Sequence, residues 1–473
     1  MNVLSVFERI NENVFQSNNG LIKPLTISVV FGWLAFKLYS SKSSSFSPEI
    51  RSSLFEEFTQ LLTEDPLDET THLPCVLVDL KSFDDNIELI RKEMLNHPST
   101  TVRIASKSIR VPYLLDRILS SGHPYKGMMC YSVGEAQFLS EMGFDDLLIG
   151  YPSEQLSDYQ ILRNLHEKEK KLIRIVVDNE QSIGKMNEFL DGIREPFPLI
   201  LEIDVSFRWF NGLIHIGARR SPIRTISQLI QVIQYMKTLS NVRLEGLMVY
   251  ESHIAGIGDI NPANFWLNPV IRFIKSFSIP RIEKIRQEMS QICLKYGLTL
   301  FNGGGTGSLL STLNESSSLT EITVGSAFFQ PHLFDHYQQN QLMINKSNYS
   351  LTPSCYFALP IVRISDQNQW ITCLGGGYVA SGKPGWDKIP IPVYPKGLTV
   401  SHDEGTGEVQ TPLQIHPKTD QQTLELLKNN GIVYFRHAKG GELAERFTHF
   451  LLVQNGKIVE TPKTYRGFGK CFI

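Results

Sequence analysis

The chain has 473 residues, with 46 lysines and arginines against 48 aspartates and glutamates, a formal net charge of −2. At 42% apolar and 20% charged it buries a sizeable core, so it is not a disordered chain. The lack of a basic excess argues against general nucleic-acid binding, which draws its affinity from released phosphate counterions.

The run Leu25 to Phe36 is apolar, bracketed by Pro24 and Lys37, and a Ser-rich stretch follows it. A spanning helix needs about 20 apolar residues. Residues 25–39 therefore read as a buried or interfacial helix, with a short membrane anchor as the alternative. Residues 50–62 space their apolar side chains for one helical face, which should pack against the main body. Together they form an N-terminal extension, 1–70.

From Cys75 onward, short apolar runs alternate with amphipathic stretches. The runs cover 76–80, 102–106, 127–132, 147–151, 173–178, 199–204, 244–250, 298–302 and 321–325. Near-continuous apolar strands separated by helices predict a parallel sheet covered on both faces. Nine strands are one more than a (β/α)8 TIM barrel requires, and an open doubly wound sheet is the structural alternative. This part spans 71–345. Residues 346–473 show short strand-like runs with Gly/Pro turns and read as a C-terminal β domain. Six cysteines (Cys75, Cys130, Cys293, Cys355, Cys373, Cys471) are scattered along the chain without a C-x-x-C pair. They fit a reducing, cytoplasmic setting rather than a zinc knuckle or a disulfide framework.

In a barrel, the residues just beyond each strand line one mouth. They include Ser106 and Lys107, Tyr131, Tyr151, Asp178, Asp204 with Arg208, Tyr250, Glu251 and His253. Lys107 ends the strand in RIASKS. Partial desolvation there lowers an amine's pKa and suits it to Schiff-base chemistry; the alternative is a lysine reaching into solvent. The loop FNGGGTGS (301–308) follows a late strand, where its amides can wrap an anion. It is neither a P-loop nor a dinucleotide turn. Gly325 and Ser326, after the next strand, could complete a cradle. A strand-end amine with a late phosphate loop suggests pyridoxal 5'-phosphate, whose aldehyde needs the one and whose phosphate needs the other.

These stretches, together with CYSVGEAQFLSEMGFDDLLIGYP, EIDVSFR, LEGLMVYESHIAG and TEITVGSAFF, resemble the alanine racemase-like barrel of fold-type III pyridoxal-phosphate enzymes. Within these, the chain most nearly resembles the D-threonine aldolase and D-serine dehydratase branch and its amino-acid deaminase/aldolase proteins. The resemblance covers about 71–473. It implies that the first strand joins the β domain, leaving eight for the barrel. It implies Lys107 as the Schiff-base lysine and Gly303, Gly304, Gly305, Thr306, Gly307, Ser308, Gly325 and Ser326 as the phosphate site. Arg208 corresponds to the arginine at the pyridine nitrogen, with an ion pair as the alternative. Tyr250 and His253 would flank cofactor or substrate, unless His253 is structural.

The branch binds a divalent ion through a histidine and, two residues on, a cysteine or aspartate. Here His437 is followed by Lys439, which cannot ligate while protonated. Glu442, His402, Asp403 and Glu404 are candidate substitutes that no spacing selects, so the metal is left open. His437 could instead act directly as acid/base, given histidine's near-neutral pKa. The ending around Tyr465, Arg466, Gly467, Gly469 and Lys470 is either near the site or a structural turn. The function implied is a lyase acting on a free amino acid, a D-β-hydroxy amino acid cleaved or dehydrated. A racemase, a decarboxylase and a non-catalytic cofactor carrier are alternatives. A homodimer is implied by the resemblance alone.

Overall fold

The computed structural model describes residues 50–472, except 65–70, 210–211, 261–264, 316–318, 338–349, 366 and 368. The apolar run 25–39 lies outside them. Among the described residues no helix is long and apolar enough to cross a membrane.

The first strand, β1 (Cys75–Asp79), is buried along its whole length. Then follow β2 (Thr101–Ala105), β3 (Tyr125–Cys130), β4 (Leu147–Ile149), β5 (Ile173–Val177) and β6 (Phe197–Glu202). A hairpin of β7 (Phe207–Trp209) and β8 (Ile214–Ile216) rises beyond β6. The chain resumes with β9 (Val242–Val249), β10 (Leu300–Gly303) and β11 (Glu321–Val324). Strands β2–β6 and β9–β11 are parallel and close into an eight-stranded barrel, with β11 pairing β2. The barrel and C-terminal β domain are thus as the sequence predicts.

Both faces of the barrel strands are buried, which is why they read as continuous apolar runs. The inward set Leu148, Val176, Ile200, Met248 and Leu300 fills the interior. Gly246 is forced by close approach, since a β-carbon there would lie 2.1 Å from the Leu300 carbonyl oxygen. An ion network sits at the opposite end of the interior from the strand-end residues. Arg103 bonds Glu321 at 2.7 Å and Asp146 at 2.9 Å, and Arg174 joins Asp146 to Glu245.

The second unit is a nine-stranded sheet built on β12 (Cys355–Ile364) and β13 (Trp370–Leu374), then β14 (Ile391–Tyr394), β15 (Leu398–Val400) and β16 (Gln410–Ile415). Strands β17 (Ile432–Arg436), β18 (Leu451–Gln454) and β19 (Lys457–Glu460) complete it. Strand β1 lies inside this sheet, antiparallel to β12 and parallel to β18. The chain therefore enters the barrel from the middle of the β domain.

The helix Ser52–Glu64 forms as its periodicity predicts. It packs on the β domain, not the barrel: Phe55 lies 5.1 Å, ring to ring, from each of Tyr356, Tyr394 and Tyr434. The 29-residue helix Asn268–Tyr296 was not legible beforehand. It buries Lys275, Ser278 and Arg286 while leaving Phe277 58% exposed. Its buried face mixes these polar side chains with Ile271, Ile282, Met289 and Ile292, and Pro280 lies inside it.

Replacing Arg103 by Met leaves Glu321 buried without its cation and Asp146 with Arg174 alone. We expect a loss of about 3–5 kcal/mol, read as a lowered denaturant midpoint; an unchanged midpoint would show that the network is not holding the barrel.

Candidate functional site

Strand β2 ends at Ala105 and turns at once through a single 3-10 turn, Ser106–Ser108. Ser106 Oγ donates to the Met129 carbonyl at 2.9 Å, tying the turn to β3. Lys107 is exposed at the mouth, and its Nζ donates to the Tyr151 hydroxyl at 3.3 Å. On the far side of Tyr151 stands Arg220, its guanidinium 5.0 Å from the Tyr151 ring centre and 5.8 Å from that of Tyr250. Burial raises the Tyr151 phenol, but the Lys107 and Arg220 cations outweigh it and hold the pKa below the ordinary value. Arg220 is itself fixed by Glu202 at 2.9 Å and by the Gly150 carbonyl at 3.1 Å. Burial pushes the Glu202 carboxyl up to about 7; Arg220 opposes this, and Asp178 and Asp204 add to it.

The glycine loop after β10 is shaped by one buried carboxylate. Glu251 accepts from the Gly304 amide at 3.2 Å, the Ser308 hydroxyl at 2.5 Å and the Thr312 hydroxyl at 3.0 Å, and it pairs with Arg286. Burial opposes its ionisation, yet Arg286 and these donors hold it below the usual carboxylate range. The Gly305 amide is also committed, to Ser308 Oγ at 3.0 Å. What remains open is narrower than the whole loop. The amides of Thr306, Gly307, Gly325 and Ser326 donate to nothing among the described residues. Gly325 brings this second pair against the lysine turn, because a β-carbon there would fall 2.8 Å from Ala105 and Ser108. Ser326 Oγ is 3.4 Å from Ser108 Oγ. These free donors and the small residues around them fit a phosphate.

The β domain closes on the same turn. A β-carbon on Gly441 would lie 1.9 Å from the Lys107 carbonyl oxygen, and one on Gly440 would lie 2.5 Å from that of Ser108. Arg110, buried and at φ +56°, donates from Nε to the Lys107 carbonyl at 3.0 Å and from Nη1 to Glu445 at 2.5 Å. Next to this contact is a cavity of about 550 Å³, lined in part by His437, Lys439, Glu442 and Arg466. His437 is 2% exposed, and neither ring nitrogen has a hydrogen-bond partner among the described residues. Burial, with Arg436 and His332 adding to it, drives its pKa down to about 3. The near-neutral titration that suggested an acid/base role is therefore absent, and His437 is a neutral imidazole.

Arg208 has no contact with Lys107 or Tyr151 among the described residues. It sits on the β7–β8 hairpin opposite His215, with Nε buried and unpartnered. His253 is 2% exposed against Gly217, its pKa lowered to about 4 by burial. Tyr250 lies beside Arg220, and a β-carbon on Gly305 would fall 3.2 Å from its ring. Tyr465 is structural: it is fully buried and donates to Glu135 at 2.9 Å. Arg220 and Glu202 were missed. Glu202 was findable, since it continues the inward parity of Ile200. Arg220 lies in irregular chain, where no periodicity marks it.

Around His437, the described residues offer a divalent ion no ligand set. Lys439 Nζ is bound to the Ser381 carbonyl at 2.6 Å and lies 3.7 Å from Glu442, and Glu442 accepts from Ser381 twice. His402 and Asp403 are fully exposed. Among the described residues no group of three or more His, Cys, Asp or Glu side chains is placed to hold a metal.

No family model and no curated protein matches the sequence. Solved structures do match. D-threonine aldolase from Filomicrobium marinum superposes with a TM-score of 0.64 at 16% identity, over 84% of this chain and 96% of the other. D-threo-3-hydroxyaspartate dehydratase from Delftia sp. HT23 gives 0.62 at 14%, over 85% and 98%. An alanine racemase-like protein from Idiomarina loihiensis gives 0.58 at 14%, over 86% and 98%. The chain has the alanine racemase-like fold. In this example of the alanine racemase-like fold, the barrel mouth carrying Lys107 is the face that the β domain meets.

Gly441→Ala should cost about 1–3 kcal/mol by overpacking the Lys107 turn. Gly134→Ala, whose β-carbon meets only Phe472 at 3.5 Å, should cost nothing. Chemical denaturation of the two variants tests the contact, and equal midpoints would contradict it.

Proposed function

We propose that this chain is a pyridoxal-phosphate-dependent lyase acting on a free amino acid, a D-β-hydroxy amino acid. The observation that carries this reading is the exposed Lys107 amine bonded to Tyr151 at the barrel mouth, on a turn packed against Gly325, with the amides of 306–307 and 325–326 free. Lys107 would bond the cofactor's aldehyde, and those amides with the Thr306 and Ser326 hydroxyls would hold its phosphate. Arg220, placed between Tyr151 and Tyr250 and anchored by Glu202, is better situated than Arg208 to face the pyridine nitrogen. An arginine keeps its proton, so that nitrogen would stay unprotonated. When bound, the cofactor supplies electron withdrawal from the substrate's Cα.

The protein's own groups then handle protons. The Lys107 amine is the base within reach of the mouth, and the Tyr151 phenol beside it stabilises its charge changes. His437, neutral across the physiological range, orients the substrate hydroxyl by hydrogen bonding. A proton taken from the β-hydroxyl leads to retro-aldol cleavage into glycine and an aldehyde. A proton taken from Cα with loss of hydroxide leads to dehydration and then deamination. The likeness to an aldolase and to a dehydratase supports both outcomes equally. A homodimer belongs to the same reading.

Incubating the cofactor-loaded protein with D- and L-β-hydroxy amino acids should release a carbonyl product from D-substrates. Lys107→Ala should release none. Inversion of configuration without carbonyl release would make it a racemase and sink the lyase reading. Arg220→Met should weaken cofactor binding at least about tenfold, the worth of one charge-assisted hydrogen bond, while Arg208→Met should leave it within about twofold. The reverse order would restore Arg208 to the role. His437→Asn should lower kcat/KM without changing the shape of the pH–rate profile between pH 5 and 8, because a pKa of about 3 leaves the imidazole neutral throughout. Loss of an inflection near pH 6.5 would show that His437 titrates in turnover.

A further inference from the structure

The two residues that follow Lys439 are pressed into the Lys107 turn, since β-carbons on Gly440 and Gly441 would meet the Ser108 and Lys107 carbonyl oxygens. The Lys439 side chain thus leaves the backbone at the seam between β domain and barrel mouth, and it lines the same cavity as His437. Its ammonium is anchored by one residue. Nζ donates to the Ser381 carbonyl at 2.6 Å and to Ser381 Oγ at 2.9 Å, while Glu442, at 3.7 Å, lies beyond hydrogen-bond reach. An ammonium has three N–H donors, so one is left for the cavity. Burial lowers the Lys439 pKa; Glu442 opposes this, and the Lys388 and Lys107 cations add to it. A lowered pKa makes an ammonium a readier acid. Beside it, the buried imidazole of His437 has both ring nitrogens unpartnered among the described residues. Both carboxylates of the wall are committed, Glu442 to the Ser381 amide and hydroxyl and Glu445 to Arg110. The wall therefore offers a substrate oxygen a charged proton donor rather than a carboxylate base.

We propose that Lys439 is a catalytic acid of this site: its ammonium receives the substrate's β-oxygen and protonates it as the carbon–oxygen bond breaks, the task a divalent ion performs as a Lewis acid. This inference deepens the lyase reading and rests on it for the position of the β-carbon. The Lys107 amine takes the proton from Cα. The electron pair of that C–H bond becomes the second bond between Cα and Cβ, and the C–O pair leaves with the oxygen. The proton from Lys439 joins that oxygen, so water departs and Lys439 is left as a neutral amine. Its side chain is 33% exposed, so solvent can return the proton. The unsaturated amine product then hydrolyses to a 2-oxo acid and ammonia. The neutral His437 supplies the hydrogen bond that orients the hydroxyl before it leaves.

The test uses the full-length, cofactor-loaded protein and two probes that differ only in the leaving group. Hydroxide needs a proton to depart from D-serine, whereas chloride leaves β-chloro-D-alanine without one. The unaltered protein should release pyruvate from both. Lys439→Met should lose at least about 100-fold in kcat on D-serine, the low end of what a positioned acid contributes, and keep β-chloro-D-alanine within about threefold. Equal losses on the two probes, or none on either, overturn the proposal. The variant's affinity for pyridoxal phosphate, read by absorbance titration, should stay within about twofold; a larger fall would assign Lys439 to the cofactor and overturn the proposal. A second arm needs no variant. Turnover of D-serine should survive excess EDTA, and elemental analysis of the purified protein should find no stoichiometric zinc or manganese. One such metal per chain, or activity that EDTA abolishes and the metal restores, overturns the proposal. D-threonine separates this claim from the lyase reading. Its conversion to 2-oxobutanoate and ammonia upholds both, whereas cleavage to glycine and acetaldehyde upholds the lyase and removes Lys439 as the acid. Absence of pyruvate from both probes in the unaltered protein overturns the two together.

Discussion

Where the carbonyl oxygens of Lys107 and Ser108 meet Gly441 and Gly440, there is no room for a β-carbon. That contact makes one site out of two folding units. The barrel supplies the lysine at the end of β2, and the β domain fixes the backbone that carries it. Arg110 reinforces the junction, since its side chain reaches back to Lys107 and across to Glu445. Its left-handed backbone is uncommon for a side-chain-bearing residue and is held by contacts on both sides. The early placement of β1 inside the β sheet serves the same end. Because the chain starts in the β domain and returns to it after the barrel, neither unit can move without pulling on β1, β12 and β18.

Electrostatics divide the mouth into two regions. Around Lys107, an arginine–carboxylate pair and two phenols form a rigid polar wall: Arg220 with Glu202, and Tyr151 with Tyr250. On the glycine loop, Glu251 uses its oxygens to hold the backbone in shape, which leaves the Thr306 and Gly307 amides free alongside those of Gly325 and Ser326. Across the junction, the cavity of the β domain is cationic, and its one deeply buried histidine is neutral. Lys439 is part of that arrangement as a fixed ammonium tied to Ser381 and Glu442.

Much of this was readable in advance, for physical reasons. Strands buried on both faces must be apolar throughout, so all eight barrel strands and β1 announced themselves. A strand-end lysine and a four-glycine loop are visible because so few residues suit their jobs. The failures have physical causes too. The helix Asn268–Tyr296 turns Lys275 and Arg286 inward and Phe277 outward, so hydrophobic periodicity cannot find it. Arg220 reaches the site from irregular chain, and only the folded path of residues 217–225 brings it beneath Tyr151. Arg208 looked equivalent because it follows the same strand more closely, but it lies on the β7–β8 hairpin opposite His215, while Arg220 is the arginine that contacts Tyr151. His437 was found by its neighbours in sequence; its neutrality follows from burial that no local pattern encodes.

The most direct test of this account is reductive trapping. The purified protein is saturated with pyridoxal phosphate, treated with borohydride, digested and mapped by mass spectrometry. The account predicts one stable adduct, on the peptide containing Lys107, and no adduct in Lys107→Ala. An adduct on Lys439 or another lysine, or none at all in the unaltered protein, would contradict it.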